Sequence, residues 1–188
     1  MFNKILVANR GEIALRVVRA CRELGIKCVA VYSEADEASL HLKLADEQIC
    51  IGPAIGAKSY LNIESIMKAA GQTGAEAIHP GYGYLAEKEE FAQACADNNI
   101  VFIGPTPENL KLVGDKITAK KIMEKADVPV IPSSPGGVTS FDEAVSLCAG
   151  IGYPVMIKAS GGGGGRGIRI CKDENALRED FPIAKAEA

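Results

Sequence analysis

Histidine is scarce in this chain. His41 and His79 are the only two, and neither has a second His or a Cys nearby in sequence. A zinc site is therefore not expected. The six cysteines, Cys21, Cys28, Cys50, Cys95, Cys148 and Cys171, include no C-x-x-C pair. Thiols this far apart, mostly within apolar periodic stretches, predict reduced core residues of a cytoplasmic protein. Neither sign of charge is in excess: 21 basic and 24 acidic side chains leave a net charge of −3. That balance gives no reason to expect a nucleic-acid or membrane-surface partner. No apolar run approaches the roughly 18 residues of a spanning helix. Met1-Phe2-Asn3-Lys4 leads straight into a strand rather than a secretory signal.

What the chain does have is glycine, concentrated in one place. Between the apolar runs Pro154 to Ile157 and Ile168 to Cys171 lie Lys158, Ala159, Ser160, five glycines (Gly161 to Gly165), Arg166 and Gly167. Two strand-like runs joined by a glycine loop predict a hairpin. Five glycines in a row raise the entropy cost of ordering the loop and serve no packing role. They do offer bare backbone N–H groups that can approach an anion closely. A flexible linker is the plainer reading, but the flanks are apolar strands and the loop holds two cations. Gly162, Gly164 and Gly167 satisfy G-x-G-x-x-G, yet the dinucleotide fingerprint must open a helix and a strand follows here. The P-loop pattern fails because Arg166-Gly167 stands where Gly-Lys-Ser/Thr is needed. A flap between two strands that closes over a polyphosphate remains. Lys158 is expected to face inward from its apolar strand.

The rest of the chain alternates strands and helices. Strands are predicted at Lys4 to Ala8, Lys27 to Tyr32, Glu47 to Ile51, Glu76 to Ile78 and Ile100 to Ile103. Helices are predicted at Glu12 to Leu24, around Leu40 to Leu44, at Asn62 to Ala70 and at Glu87 to Asn98, with Gly11 in a tight turn before the first. This is the signature of an α/β fold, a Rossmann-like open parallel sheet. Ligands of such sheets sit beyond the carboxyl ends of the strands. The loops there are Asn9 to Glu12, Ser33 to Glu37, His79 to Tyr84 and Gly104-Pro105. The first lacks a glycine-rich fingerprint, so a bound dinucleotide is not favoured.

A helical connection, Leu110 to Ala126, comes next, with Asp115 as a candidate N-cap for its second part. Pro129, Pro132, Pro135 and Gly136-Gly137 then break the chain. A helix at Phe141 to Ala149, the hairpin and a last helix capped by Asp173 complete it, the last one meeting Pro182. The expected division is a Rossmann-like domain over 1–113, a helical linker over 114–132 and an incomplete second domain over 133–188. So small a second domain is marginal alone, which suggests that the sequence is a fragment cut within it.

The stretches KILVANRGEIALRVVRACRELGI, SYLNIESI, AIHPGYGYLAE, FIGP, GDK at Gly114 to Lys116 and IGYPVMIKASGGGGGRG resemble the N-terminal part of a biotin carboxylase. That is the ATP-grasp component of acetyl-CoA, pyruvate and propionyl-CoA carboxylases. The resemblance implies that ATP, with Mg²⁺ or Mn²⁺, and bicarbonate give carboxyphosphate, which carboxylates N1′ of biotin on a carrier. It implies nucleotide contacts at Lys116, Lys158, Gly163, Gly164, Gly165, Arg166 and Gly167. It also implies a biotin contact at Tyr82, with Gly83 permitting close approach. Read from the sequence alone, Lys116 is a solvated first-turn lysine, and His79 to Gly83 is as readily a rigid strand-end loop. The family's GFLSEN reads GYLAEK here, with Ala86 and Lys88 in place of the pattern's Ser and Asn, so no contact is assigned to either. Arg16 and Arg19 lie on the face that the family uses for its homodimer. The metal-binding glutamates, the bicarbonate-binding arginine and the general base are expected beyond Ala188. Implied partners are a biotin carboxyl carrier protein or domain, a carboxyltransferase component and a second copy of the chain. Two alternatives stay open: another ATP-grasp ligase, and a non-catalytic binding or dimerisation module.

Overall fold

The computed structural model describes residues 1–114, 116–158 and 168–187, and for residues 116 and 117 the backbone alone. The chain forms two compact units, Met1–Lys116 and Ile117–Ala188.

The first unit is a five-stranded sheet: β1 (Lys4–Val7), β2 (Lys27–Ser33), β3 (Glu47–Gly52), β4 (Ala77–His79) and β5 (Val101–Phe102). The spatial order is β3-β2-β1-β4-β5 and every pairing is parallel. Crossover helices are α1 (Gly11–Glu23), α2 (Leu40–Leu44), α3 (Ile63–Thr73) and α4 (Glu89–Asp97). Alternation along β1 explains the two layers. Ile5 and Val7 face α1, packing with Ala14, Val17, Val18 and Cys21. Leu6 faces the other way, into a cluster holding Ile66 and Ala69 of α3 and Phe91 and Cys95 of α4. Apolar residues buried on both faces are what a parallel sheet covered by helices requires.

Helical residues lie on both sides of residue 115 in the connection: α5 (Pro107–Gly114) and α6 (Lys116–Lys125). Pro107 opens α5, where its missing N–H costs nothing, and Thr106 Oγ1 accepts from Asn109 N at 3.2 Å. The expected cap at Asp115 lies outside the described residues.

The second unit also contains α7 (Phe141–Ile151), an antiparallel hairpin of β6 (Val155–Lys158) and β7 (Ile168–Cys171), and α8 (Glu174–Ala186). Ser140 caps α7 by accepting from Glu143 N, and Asp173 caps α8 by accepting from Ala176 N. Its small core gathers Ala144, Cys148, Val155, Cys171 and Leu177. Helix α8 runs through Pro182. Beyond the proline, Ala184 is buried and Arg169 grips Glu187 with two bonds of 2.8 Å.

Among the described residues no helix is long and apolar enough to cross a membrane. Phe91, fully buried beneath the sheet and set edge-on to Phe102 at 5.8 Å, anchors the α4 layer. Phe91→Ala is expected to destabilise the first unit by about 3–5 kcal/mol. Urea unfolding followed by circular dichroism checks this, and a loss below about 1 kcal/mol would contradict the packing described.

Candidate functional site

Strand order reverses between β1 and β4, and at such a switch point the loops leaving the carboxyl ends splay apart into a crevice. Three of the loops expected to line a ligand site converge here. The Asn9 amide, 2% exposed, donates to Pro80 O at 2.7 Å and to Tyr82 O at 2.9 Å. It thereby ties the end of β1 to the loop after β4. Gly81 makes this possible. Its φ is +66°, and a Cβ there would sit 2.7 Å from Asn9 Nδ2. Gly81 N donates to His79 Nδ1 at 3.0 Å, so that ring nitrogen is unprotonated. Burial lowers the His79 pKa and keeps the ring neutral.

Beside this bridge lies a carboxylate that the sequence does not announce. Ser33 to Glu37 reads as a polar, acidic loop, yet Asp36 is only 6% exposed. Its Oδ2 accepts from Arg10 Nε at 2.9 Å, Ser33 Oγ at 2.9 Å and Tyr60 Oη at 2.8 Å. A second Arg10 nitrogen bonds Oδ1, making the pair bidentate. Tyr60 Oη in turn accepts from Ser33 N at 3.0 Å. The Arg10 hydrogen bond does most to hold the Asp36 carboxyl at about 2, below its ordinary 3.8; burial opposes it, and Tyr60 and Ser33 assist. Burial, with the Asp36 hydrogen bond, pushes Tyr60 up to about 12. The signal available in the sequence was the Ser33-x-x-Asp36 spacing just past a strand.

The residues implied by resemblance fall in different places. Tyr82 is 62% exposed on the β4 loop, and its hydroxyl donates to the Glu12 carboxylate. That bond raises the Tyr82 pKa. Gly83 has φ +68° and open space around it, so it answers a backbone requirement. The close contact with protein belongs to Gly81 instead. Lys158 does not face inward. Val155 and Ile157 turn toward the α7 and α8 core, so period-two alternation puts Lys158 on the other face with Met156. Its cross-strand partner is Ile168, and Met156 pairs with Ile170. The result is an exposed apolar hairpin face with one ammonium group. Gly163, Gly164, Gly165, Arg166 and Gly167 lie outside the described residues, as does the Lys116 side chain. Among the described residues no group of three His, Cys, Asp or Glu side chains could hold a metal ion. A cleft of about 560 Å³, lined by Phe2, Lys4, Leu24, Lys27 and Glu76 among others, opens at the amino ends of the strands, opposite the polar cluster.

The depressed Asp36 pKa fixes a pH dependence. A carboxylate held at about 2 rather than 3.8 stabilises the folded state fully above 3.8 and loses that contribution as pH falls toward 2. The amount is on the order of 2 kcal/mol. Urea midpoints for the native chain and Asp36→Asn are therefore expected to converge between roughly pH 5 and pH 2. Parallel curves through that range would remove the assignment.

Comparison with known proteins extends these observations. The family described as "Biotin carboxylase, N-terminal domain" matches residues 1–110, and "Carbamoyl-phosphate synthase L chain, ATP binding domain" matches residues 115–188. A biotin carboxylase of Nostoc sp. is 55% identical over 187 residues, covering 100% of this chain and 42% of the relative. The human mitochondrial propionyl-CoA carboxylase alpha chain is 52% identical, covering 100% of this chain and 26% of the relative. A Campylobacter jejuni biotin carboxylase solved as a βγ-ATP complex superposes with a TM-score of 0.93 at 49% identity, covering 100% of this chain and 42% of that one. The biotin carboxylase domain dimer of Hydrogenobacter thermophilus 2-oxoglutarate carboxylase, solved with MgADP, ADP and bicarbonate, superposes with a TM-score of 0.91 at 52% identity, covering 100% and 41%. The chain thus spans less than half the length of these relatives. The parallel sheet, its switch-point loops and a family match over the whole first unit but its last few residues lead to one conclusion: the chain belongs to the biotin carboxylase family.

Proposed function

We propose that the chain forms the N-terminal domain and the start of the ATP-binding domain of a biotin carboxylase. The division is 1–113 for the Rossmann-like domain, 114–132 for a helical connection and 133–188 for the first part of the ATP-grasp fold. The reaction joins bicarbonate to the γ-phosphoryl group of ATP, releasing ADP. The resulting carboxyphosphate delivers its carboxyl group to N1′ of biotin and releases phosphate. The observation that carries this reading is the whole-chain likeness to a biotin carboxylase solved as a βγ-ATP complex.

Phosphoryl transfer is mostly positioning and charge neutralisation. The exposed hairpin face supports a binding role for Lys158: Met156, Ile168 and Ile170 offer apolar surface to a flat ring beside one cation. Lys116 and the backbone N–H groups of Gly163, Gly164 and Gly165, with Arg166 and Gly167, surround the phosphates in this reading. The metal that accompanies ATP is assigned to no residue of this chain. Tyr82 and Gly83 meet the biotin ring from the β4 loop, where the exposure of Tyr82 leaves its ring face accessible. The carrier-borne biotin and a carboxyltransferase component are the partners that this chemistry requires. Arg16 and Arg19, exposed on α1, support a homodimer contact. Six free thiols, five of them buried, support a reducing compartment such as the cytoplasm.

A second reading, an ATP-grasp ligase for a different acceptor, is favoured only by the family description that matches residues 115–188. Free biotin distinguishes the two. It is expected to stimulate bicarbonate-dependent ATP cleavage by the complete protein, and absence of stimulation would favour the second reading. Lys158→Ala in the complete protein is expected to weaken nucleotide binding about tenfold or more. The same change should shift the Tm by about 2 °C or less, as for other exposed side chains. Equal nucleotide affinity in variant and parent would refute the role given to Lys158.

A further inference from the structure

The Asp36 cluster joins a buried carboxylate to a half-exposed Arg10, and beyond its contribution to stability it has a geometric consequence: two of the groups that it joins, Arg10 and Tyr60, adjoin residues that hold the β4 loop. Arg10 follows Asn9, whose amide grips Pro80 O and Tyr82 O. Tyr60, locked by Asp36 Oδ2 and Ser33 N, stacks its ring on Tyr84 with centroids 5.2 Å apart and planes 24° from parallel. Tyr84 needs such support because it sits at φ +43°, a left-handed conformation that a bulky side chain adopts only under tertiary constraint. The loop is therefore pinned on both sides of Tyr82, through Asn9 before it and through Tyr84 after it.

We propose that Asp36 and Tyr60 are positioning residues for substrate. The Asp36–Tyr60 hydrogen bond, passed on through the Tyr60–Tyr84 stack, sets the height and angle at which the β4 loop presents Tyr82 to the ureido ring of biotin. This rests on the biotin role given to Tyr82 above. A small displacement of such a platform weakens the ring contact that it misaligns.

The test uses the complete carboxylase and free biotin, with ADP formation followed at saturating ATP and bicarbonate. Tyr60→Phe keeps the stacking ring and removes only the hydroxyl. It is expected to raise the KM for biotin about three- to tenfold, with the KM for ATP within about twofold of the parent. Asp36→Asn and Tyr84→Leu should move the same parameter. The Tyr60→Phe/Tyr84→Leu double variant should add little to either single change, because both act through one stack. An unchanged KM for biotin in Tyr60→Phe, or KM values for biotin and ATP rising together, overturns the proposal. Tyr82→Ala separates the two levels. If it raises the KM for biotin while Tyr60→Phe does not, the positioning role fails alone. If Tyr82→Ala leaves that KM unchanged, the biotin reading of the loop fails and the positioning role with it.

Discussion

A carboxylate removed from water must find donors for its charge, and Asp36 organises the ligand end of the sheet by finding them. Its donors come from separate parts of the chain: Arg10 after β1, Ser33 at the end of β2, and Tyr60 on the approach to α3. Satisfying one buried group thus fixes the relative positions of loops far apart in sequence. The Asn9 amide does the same on a smaller scale for β1 and β4. Between them, these two side chains turn the splayed loops of a switch point into a defined surface.

The strand order explains why that surface lies where it does. With β1 at the centre, β2 and β3 grow to one side and β4 and β5 to the other. The crossovers α1 and α3 consequently cover opposite faces, and the loops that lead to them diverge. A polar cluster can form in the gap without displacing core packing. The amino ends of the strands form a cleft as well, but its lysines and main-chain groups meet no comparable convergence of buried polar side chains. In the second unit the division is by face. One side of the hairpin buries Val155 and Cys171 against α7 and α8, and the other leaves Met156, Ile168 and Ile170 in the open beside Lys158.

Much of the fold was legible because its signals are local. Short apolar runs marked the five parallel strands, and helical spacing marked the crossovers to within a few residues. Gly11, expected in a tight turn before the first helix, has φ +62° and is the first residue of α1. The apolar run around Lys158 predicts an inward-facing side chain, but direction in a strand depends on which neighbour the core occupies, and here Val155 and Ile157 take the core side. Helix α8 continues through Pro182 to Ala186, past a residue that disfavours helix by intrinsic propensity. Gly81 and Gly83 are indistinguishable in the string His79-Pro80-Gly81-Tyr82-Gly83, and only the position of Asn9 makes the first a steric necessity.

The sequence by itself determined the parallel α/β architecture, the glycine-rich hairpin and the family, because periodicity and contiguous motifs are properties of short stretches of chain. Tertiary structure alone decided that Asp36 is buried and ionised, that Tyr60 stacks on Tyr84, and that Asn9 bridges to the β4 loop. Those contacts join residues that lie 24 to 73 positions apart. No local pattern encodes them. They exist because the folded sheet brings the ends of its strands together and leaves their polar groups no water to bind instead.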